Sequence, residues 1–136
     1  MTSFKKLSVL WLPLILYMSL MWHLSSRPIE VPSLDIPFLD KFLHLIEYAI
    51  FGFLLARAVS FDAKPDRKIA FSILIIFLAV AWGALDEYHQ SFVETRDANV
   101  WDFVFDCCGA GLGNFLFISL LPNGNRLEFG NKLFIK

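Results

Sequence analysis

The chain has 136 residues, 57% hydrophobic, 16% aromatic and 18% charged, with a mean hydropathy of +0.57. A soluble domain carries about a quarter of its residues as Asp, Glu, Lys and Arg, so this composition excludes an ordinary soluble fold and reads as an integral membrane protein of one domain, residues 1–136. The formal net charge of -1 gives no support to nucleic-acid binding or to a basic peripheral coat.

The expected architecture is all-α, a bundle of four transmembrane helices over about 7–24, 42–61, 69–86 and 103–121. The first uncharged run, between Lys6 and Arg27, is 20 residues, the length a helix needs to cross a hydrocarbon core. It is too long for a signal-peptide core and ends in Trp22-His23-Leu24, so it reads as a retained helix, bent at Pro13. Pro28, Pro32 and Pro37 then favour extended chain as far as Asp40, a natural N-cap for the second span. That span has the right length but contains Glu47 and Arg57, the latter read as an anchor that snorkels to the interface. The third run, Lys68 to Asp86, holds 17 uncharged residues and the fourth, Cys107 to Asn125, holds 19. The tail after Pro122 opens with the turn-like Asn123-Gly124 and is expected on the inner surface.

Nine of the 12 basic residues fall on one side of this arrangement: Lys5, Lys6, Arg57, Lys64, Arg67, Lys68, Arg126, Lys132 and Lys136. Arg27, Lys41 and Arg96 fall on the other. The positive-inside rule therefore puts both termini in the cytoplasm, with Trp22 and Trp101 in the outer aromatic belt.

The polar residues of spans two to four gather at their outer ends. Asp40, His44 and Glu47 share a face by their i, i+4, i+7 spacing; Asp86, His89 and Gln90 share another, beside Glu87; Asp102 and Asp106 share a third. Glu47 lies roughly 9 Å along the helix from Lys41, inside the outer leaflet. An isolated carboxylate facing lipid costs a few kcal/mol, so these faces turn inward and make an outward-facing polar pocket. Gly109 and Gly113 form a GxxxG on the face of Asp106, which predicts close helix packing within the chain, with Gly52 and Gly83 as recipients, in preference to a dimer seam. Cys107 and Cys108 point about 100° apart on a helix and are expected to be free, buried thiols.

These residues resemble a known family. Asp40-Lys41-x-x-His44, Asp86-Glu87-x-His89-Gln90, Arg96, Asp102 and Asp106-x-x-Gly109-x-x-x-Gly113 are similar to the VanZ-like membrane proteins, named for the accessory teicoplanin-resistance protein of glycopeptide resistance clusters. The likeness runs from about Asp40 to Gly113. Two departures stand out: Glu94-Thr95 where the family has Pro-Gly, and Asp106 where it has Asn. The resemblance implies residence in a bacterial inner or plasma membrane, a cell-envelope role and an influence on teicoplanin susceptibility; it implies no particular reaction.

Three mechanisms remain open for the cluster beside that of a non-catalytic structural or partner-binding module. In the first, the pocket binds or modifies a lipid-linked envelope precursor. Arg96 clamps a phosphate or carboxylate, His44 or Glu47 is the general base, and His89 with Asp86 orients or protonates, while Lys41, Glu87, Gln90, Asp102 and Asp106 contact substrate. In the second, His44 and His89 with Asp86 and Asp102, or with Glu47, hold zinc or another divalent metal. The third is a small proton-coupled exporter using Glu47, disfavoured because the polar residues lie on one side and not at the midplane. No phosphate loop, nucleophile elbow or dinucleotide fingerprint is present.

Overall fold

The computed structural model describes residues 3–27, 38–60, 67–94, 96 and 99–120. The expected proline-rich connection and the expected surface placement of Asn123-Gly124 lie outside these residues. Four helices follow in order, α1 (Ser3–Ser25), α2 (Leu39–Ser60), α3 (Lys68–Gln90) and α4 (Val100–Leu120), and all four are long and apolar enough to cross a membrane. They run alternately up and down, so that the end of α1, the start of α2, the end of α3 and the start of α4 meet at one end of the bundle.

Helix ends differ from the apolar runs in an informative way. α2 and α4 begin before the expected spans, and α3 continues past Asp86 to Gln90. Apolar runs mark where lipid begins, whereas backbone hydrogen bonding continues through polar turns whose side chains find partners. Asp40 is consequently not the N-cap of α2: the Phe42 N–H donates to the Phe38 carbonyl at 3.0 Å, which leaves Asp40 in the first turn. A true cap begins α4, where Asn99 Oδ1 accepts the Trp101 N–H at 3.0 Å.

The surface is apolar and part of the interior is polar. Ile73, Phe77 and Phe115 are each more than 60% exposed, while Asp86, Gln90, Asp102, Asp106 and Asn114 are buried. That inversion suits a lipid solvent, which accepts apolar surface and forces polar groups to pair inside. The apolar core runs through Leu14 and Met21 of α1, Tyr48, Phe51 and Leu55 of α2, Ile75 and Ala79 of α3, and Ala110 and Phe117 of α4.

α2 and α4 form the closest pair because small residues meet backbone. A Cβ on Gly109 would run into the Leu45 carbonyl, one on Gly113 into Ala49 and Phe53, and one on Gly52 into Ala110. The glycine motif is therefore used within the chain, with Ala49 and not Gly83 as its main recipient. Gly83 has a different neighbourhood: a Cβ there would lie 3.5 Å from Tyr48 and 3.6 Å from Asp106.

α1 is held by polar contacts to backbone. Pro13 has no N–H, so the carbonyl four residues back, that of Val9, loses its helical donor; Arg57 Nη2 donates to it at 3.0 Å. Arg57, expected to snorkel, thus also serves as a clip between α2 and α1, because a carbonyl freed in an apolar setting needs a donor from protein. Higher up, the Tyr17 hydroxyl donates to the Glu47 carbonyl at 3.0 Å. Cys107 and Cys108 are free, but Cys107 is half-buried and Cys108 exposed; Cys108 falls on the face of α4 opposite the glycines that meet α2, a rotation the run of apolar residues does not reveal.

Candidate functional site

The polar end of the bundle contains two groups of ionisable side chains. The inner group is built by α2, α3 and α4. His44 Nδ1 lies 2.8 Å from Asp106 Oδ1, and Lys41 Nζ donates to Asp102 Oδ1 at 2.6 Å and to Asp40 Oδ2 at 2.5 Å. Successive turns of α2 thus pair with successive turns of α4: 41 with 102 and 44 with 106. Glycine packing lower down sets that register by holding the two backbones together. The Lys41–Asp102 pair keeps 13% and 12% side-chain exposure, whereas the Asp106 side chain keeps 1%.

α3 closes the inner group from the other side. Gln90 Nε2 donates to Asp86 Oδ2 at 2.8 Å, one turn apart, and Glu87 Oε2 accepts the Asn99 N–H at 3.0 Å. Glu47 is half-buried within the field of His44, Asp86, Asp106 and Arg96. Carboxylates outnumber cations here: Asp40, Glu47, Asp86, Glu87, Asp102 and Asp106 stand with Lys41 and His44. Asp86 Oδ1, Glu87 Oε1, Asp106 Oδ2 and the Tyr48 hydroxyl are buried with no hydrogen-bond partner among the described residues. Buried acceptors are normally satisfied, so three carboxylate oxygens without partners on α3 and α4 mark a place that accepts donors from something else.

The outer group lies against α1. His89 stacks on Trp22 with ring centroids 4.1 Å apart and planes 19° from parallel, and its Nε2 lies 2.8 Å from the Ser26 hydroxyl. Arg96 donates from Nη2 to the Leu24 carbonyl at 3.0 Å and from Nε to the Arg27 carbonyl at 3.3 Å. It caps the last carbonyls of α1, which a cation at a helix C-terminus satisfies well.

Of the residues singled out in the sequence, Lys41, His44, Glu47, Asp86, Glu87, Gln90, Asp102 and Asp106 are brought together by α2, α3 and α4, while His89 and Arg96 are turned toward α1. Of the four metal candidates His44, His89, Asp86 and Asp102, only His44 falls in the tight group the structure forms, whose other members are Glu87 and Asp106, with one ligand atom from each within 4.8 Å of the others. The sequence reading missed Asn99, Ser26 and Tyr48. For Asn99 a signal existed, since Asn followed by an apolar helical run is a cap pattern; for the other two none did.

A cleft of about 310 Å³ between α3 and α4 reaches this level, lined by Ala84, Glu87, Asn99, Val100 and Phe103. Its walls are mostly apolar and Glu87 is its charged group. The cleft therefore reaches the carboxylate cluster at Glu87.

Four membrane-spanning helices with a buried ionisable layer at one end define a multi-pass membrane protein. The family model for VanZ/LLP1 matches residues 4–121, and the chain belongs to that family. No curated protein and no solved structure matches the chain.

Proposed function

We propose that this protein binds or modifies the polar headgroup of a lipid-linked or cell-wall substrate at the extracytoplasmic face, and thereby affects teicoplanin susceptibility. The observation that carries this reading is the row of buried, unpartnered carboxylate oxygens beside an apolar cleft between α3 and α4. Such a site suits a molecule whose chain stays in lipid while its headgroup supplies hydrogen-bond donors. The acidic balance favours a headgroup rich in hydroxyl or amino groups. Outward orientation is supported by the nine basic residues assigned to the opposite end.

In this reading Glu47 is the proton acceptor, central in the cluster and half-buried. His44, held by Asp106, and Glu87 contact the headgroup, with Asp86 and Gln90 along the α3 wall. Lys41 and Asp102 close the rim. Arg96 and His89 act as positioning residues that fix α1 across the site. The test is a deletion strain complemented in turn with the wild type, Glu47→Gln and His44→Ala, read by lipid and cell-wall precursor profile and by teicoplanin susceptibility. Both variants should reproduce the deletion while accumulating in the membrane at wild-type level. Wild-type profiles from both, together with tolerance of Asp102→Glu, would leave only a packing network.

A further inference from the structure

The inner group has a geometry that headgroup binding alone does not account for. One imidazole nitrogen of His44 and one carboxylate oxygen each from Glu87 and Asp106 lie within 4.8 Å of one another, contributed by three different helices. Asp106 is 1% exposed and still has an oxygen, Oδ2, with no partner among the described residues. That oxygen points toward α3, 3.6 Å from where a Cβ on Gly83 would stand, one turn from Glu87, whose Oε1 is also buried and unpartnered. Lys41 of the same cluster is already engaged by Asp40 and Asp102, and its ion pairs do not include this pair of carboxylates.

We propose that His44, Glu87 and Asp106 form a divalent-cation site. A doubly charged ion balances the two carboxylates and removes the main penalty of burying them. One nitrogen with two carboxylate oxygens suits Mn²⁺ or Zn²⁺, and three protein ligands leave positions open for a water or a substrate oxygen. Bonds of about 2.1 Å bring ligand atoms to separations of about 3.4 Å, so the group closes by roughly an ångström and the His44–Asp106 hydrogen bond is replaced by bonds to the ion. The cleft at Glu87 gives the ion and the headgroup a common route in. This inference rests on the headgroup reading for its purpose but not for its test.

The protein, purified in detergent and stripped with EDTA, is titrated with Mn²⁺ while free Mn²⁺ is followed by EPR, and Zn²⁺ is then added as competitor. One Mn²⁺ per chain is expected, displaced by Zn²⁺. Glu87→Gln and Asp106→Asn should each weaken binding at least tenfold, and His89→Gln should leave it unchanged. Unfolding midpoints of the metal-free variants check that each is folded; Glu87→Gln, at a half-buried position, serves should Asp106→Asn fail that check. Absence of saturable binding of either ion to the wild type, or wild-type affinity in a folded Glu87→Gln or Asp106→Asn, overturns the site. Failure of the headgroup reading would look different: Glu47→Gln would give a wild-type precursor profile while metal binding persists.

Discussion

His44 and His89 stand at the same end of the bundle, each with a hydroxyl or carboxylate partner 2.8 Å from a ring nitrogen, and yet they belong to different kinds of structure. His44 sits among carboxylates on three helices, where several acceptors have no partner. His89 lies flat on Trp22 beside Ser26, next to Arg96, whose side chain donates to the Leu24 and Arg27 carbonyls, so both side chains fasten the end of α1 to the rest. The inner group keeps buried carboxylate oxygens without a partner, whereas the outer group is spent largely on holding α1. A polar cluster in a membrane protein is thus read by what is left over after pairing, more than by which residues it contains.

Substitutions can sharpen or break that contrast. The largest effect is expected beneath both groups, at the seam that brings α2 to α4. Gly113→Leu would push into the backbone of Ala49 and Phe53, so the protein should fail to accumulate as a monodisperse species in detergent. Gly111, where an added Cβ meets nothing, is the control, and Gly111→Ala should gain up to about 1 kcal/mol from helix propensity.

Next comes the rim of the inner group. Lys41→Met leaves Asp102 without its cation at 12% exposure, and the loss should reach about 3 kcal/mol, read as a lowered unfolding midpoint. Asp106→Asn should do the reverse at a smaller scale: it removes a buried charge with an unpartnered oxygen, so the metal-free midpoint holds or rises while cation binding weakens, the pattern expected of a site that is not optimised for stability. A large fall in stability with cation binding retained would erase the distinction between inner and outer groups.

The outer group should respond only structurally. His89→Phe keeps a ring on Trp22 and loses the contact to Ser26, for about 1 kcal/mol. Arg57→Met, which takes the donor from the Val9 carbonyl, should cost about 1–3 kcal/mol. Both are measured by thermal or denaturant unfolding in detergent, and neither should change metal binding.

Much of this was legible in the residues. The i, i+4 spacing of Asp102 and Asp106 already puts two acids on one face of α4, as the spacing of Asp40, His44 and Glu47 does for α2, and the GxxxG says that α4 approaches something closely. Pro13 announces a free carbonyl at Val9. None of these features names the donor, the recipient or the rotation of a neighbouring helix. Arg96 read as a ligand clamp because a guanidinium fits a phosphate; it fits the end of α1 equally well, and only the position of α1 decides between them.

By itself the sequence determined the number of helices long and apolar enough to span a membrane and the helix ends at which the ionisable residues lie, since these follow from hydrocarbon thickness and charge along one chain. The tertiary structure decided which of those residues face one another. Rotation of each helix about its axis costs nothing in hydropathy, and it is fixed by contacts between helices such as those of Gly109 and Gly113 with α2, Arg57 with Val9 and His89 with Trp22. That rotation turns His44, Glu87 and Asp106 into one group and leaves His89 outside it.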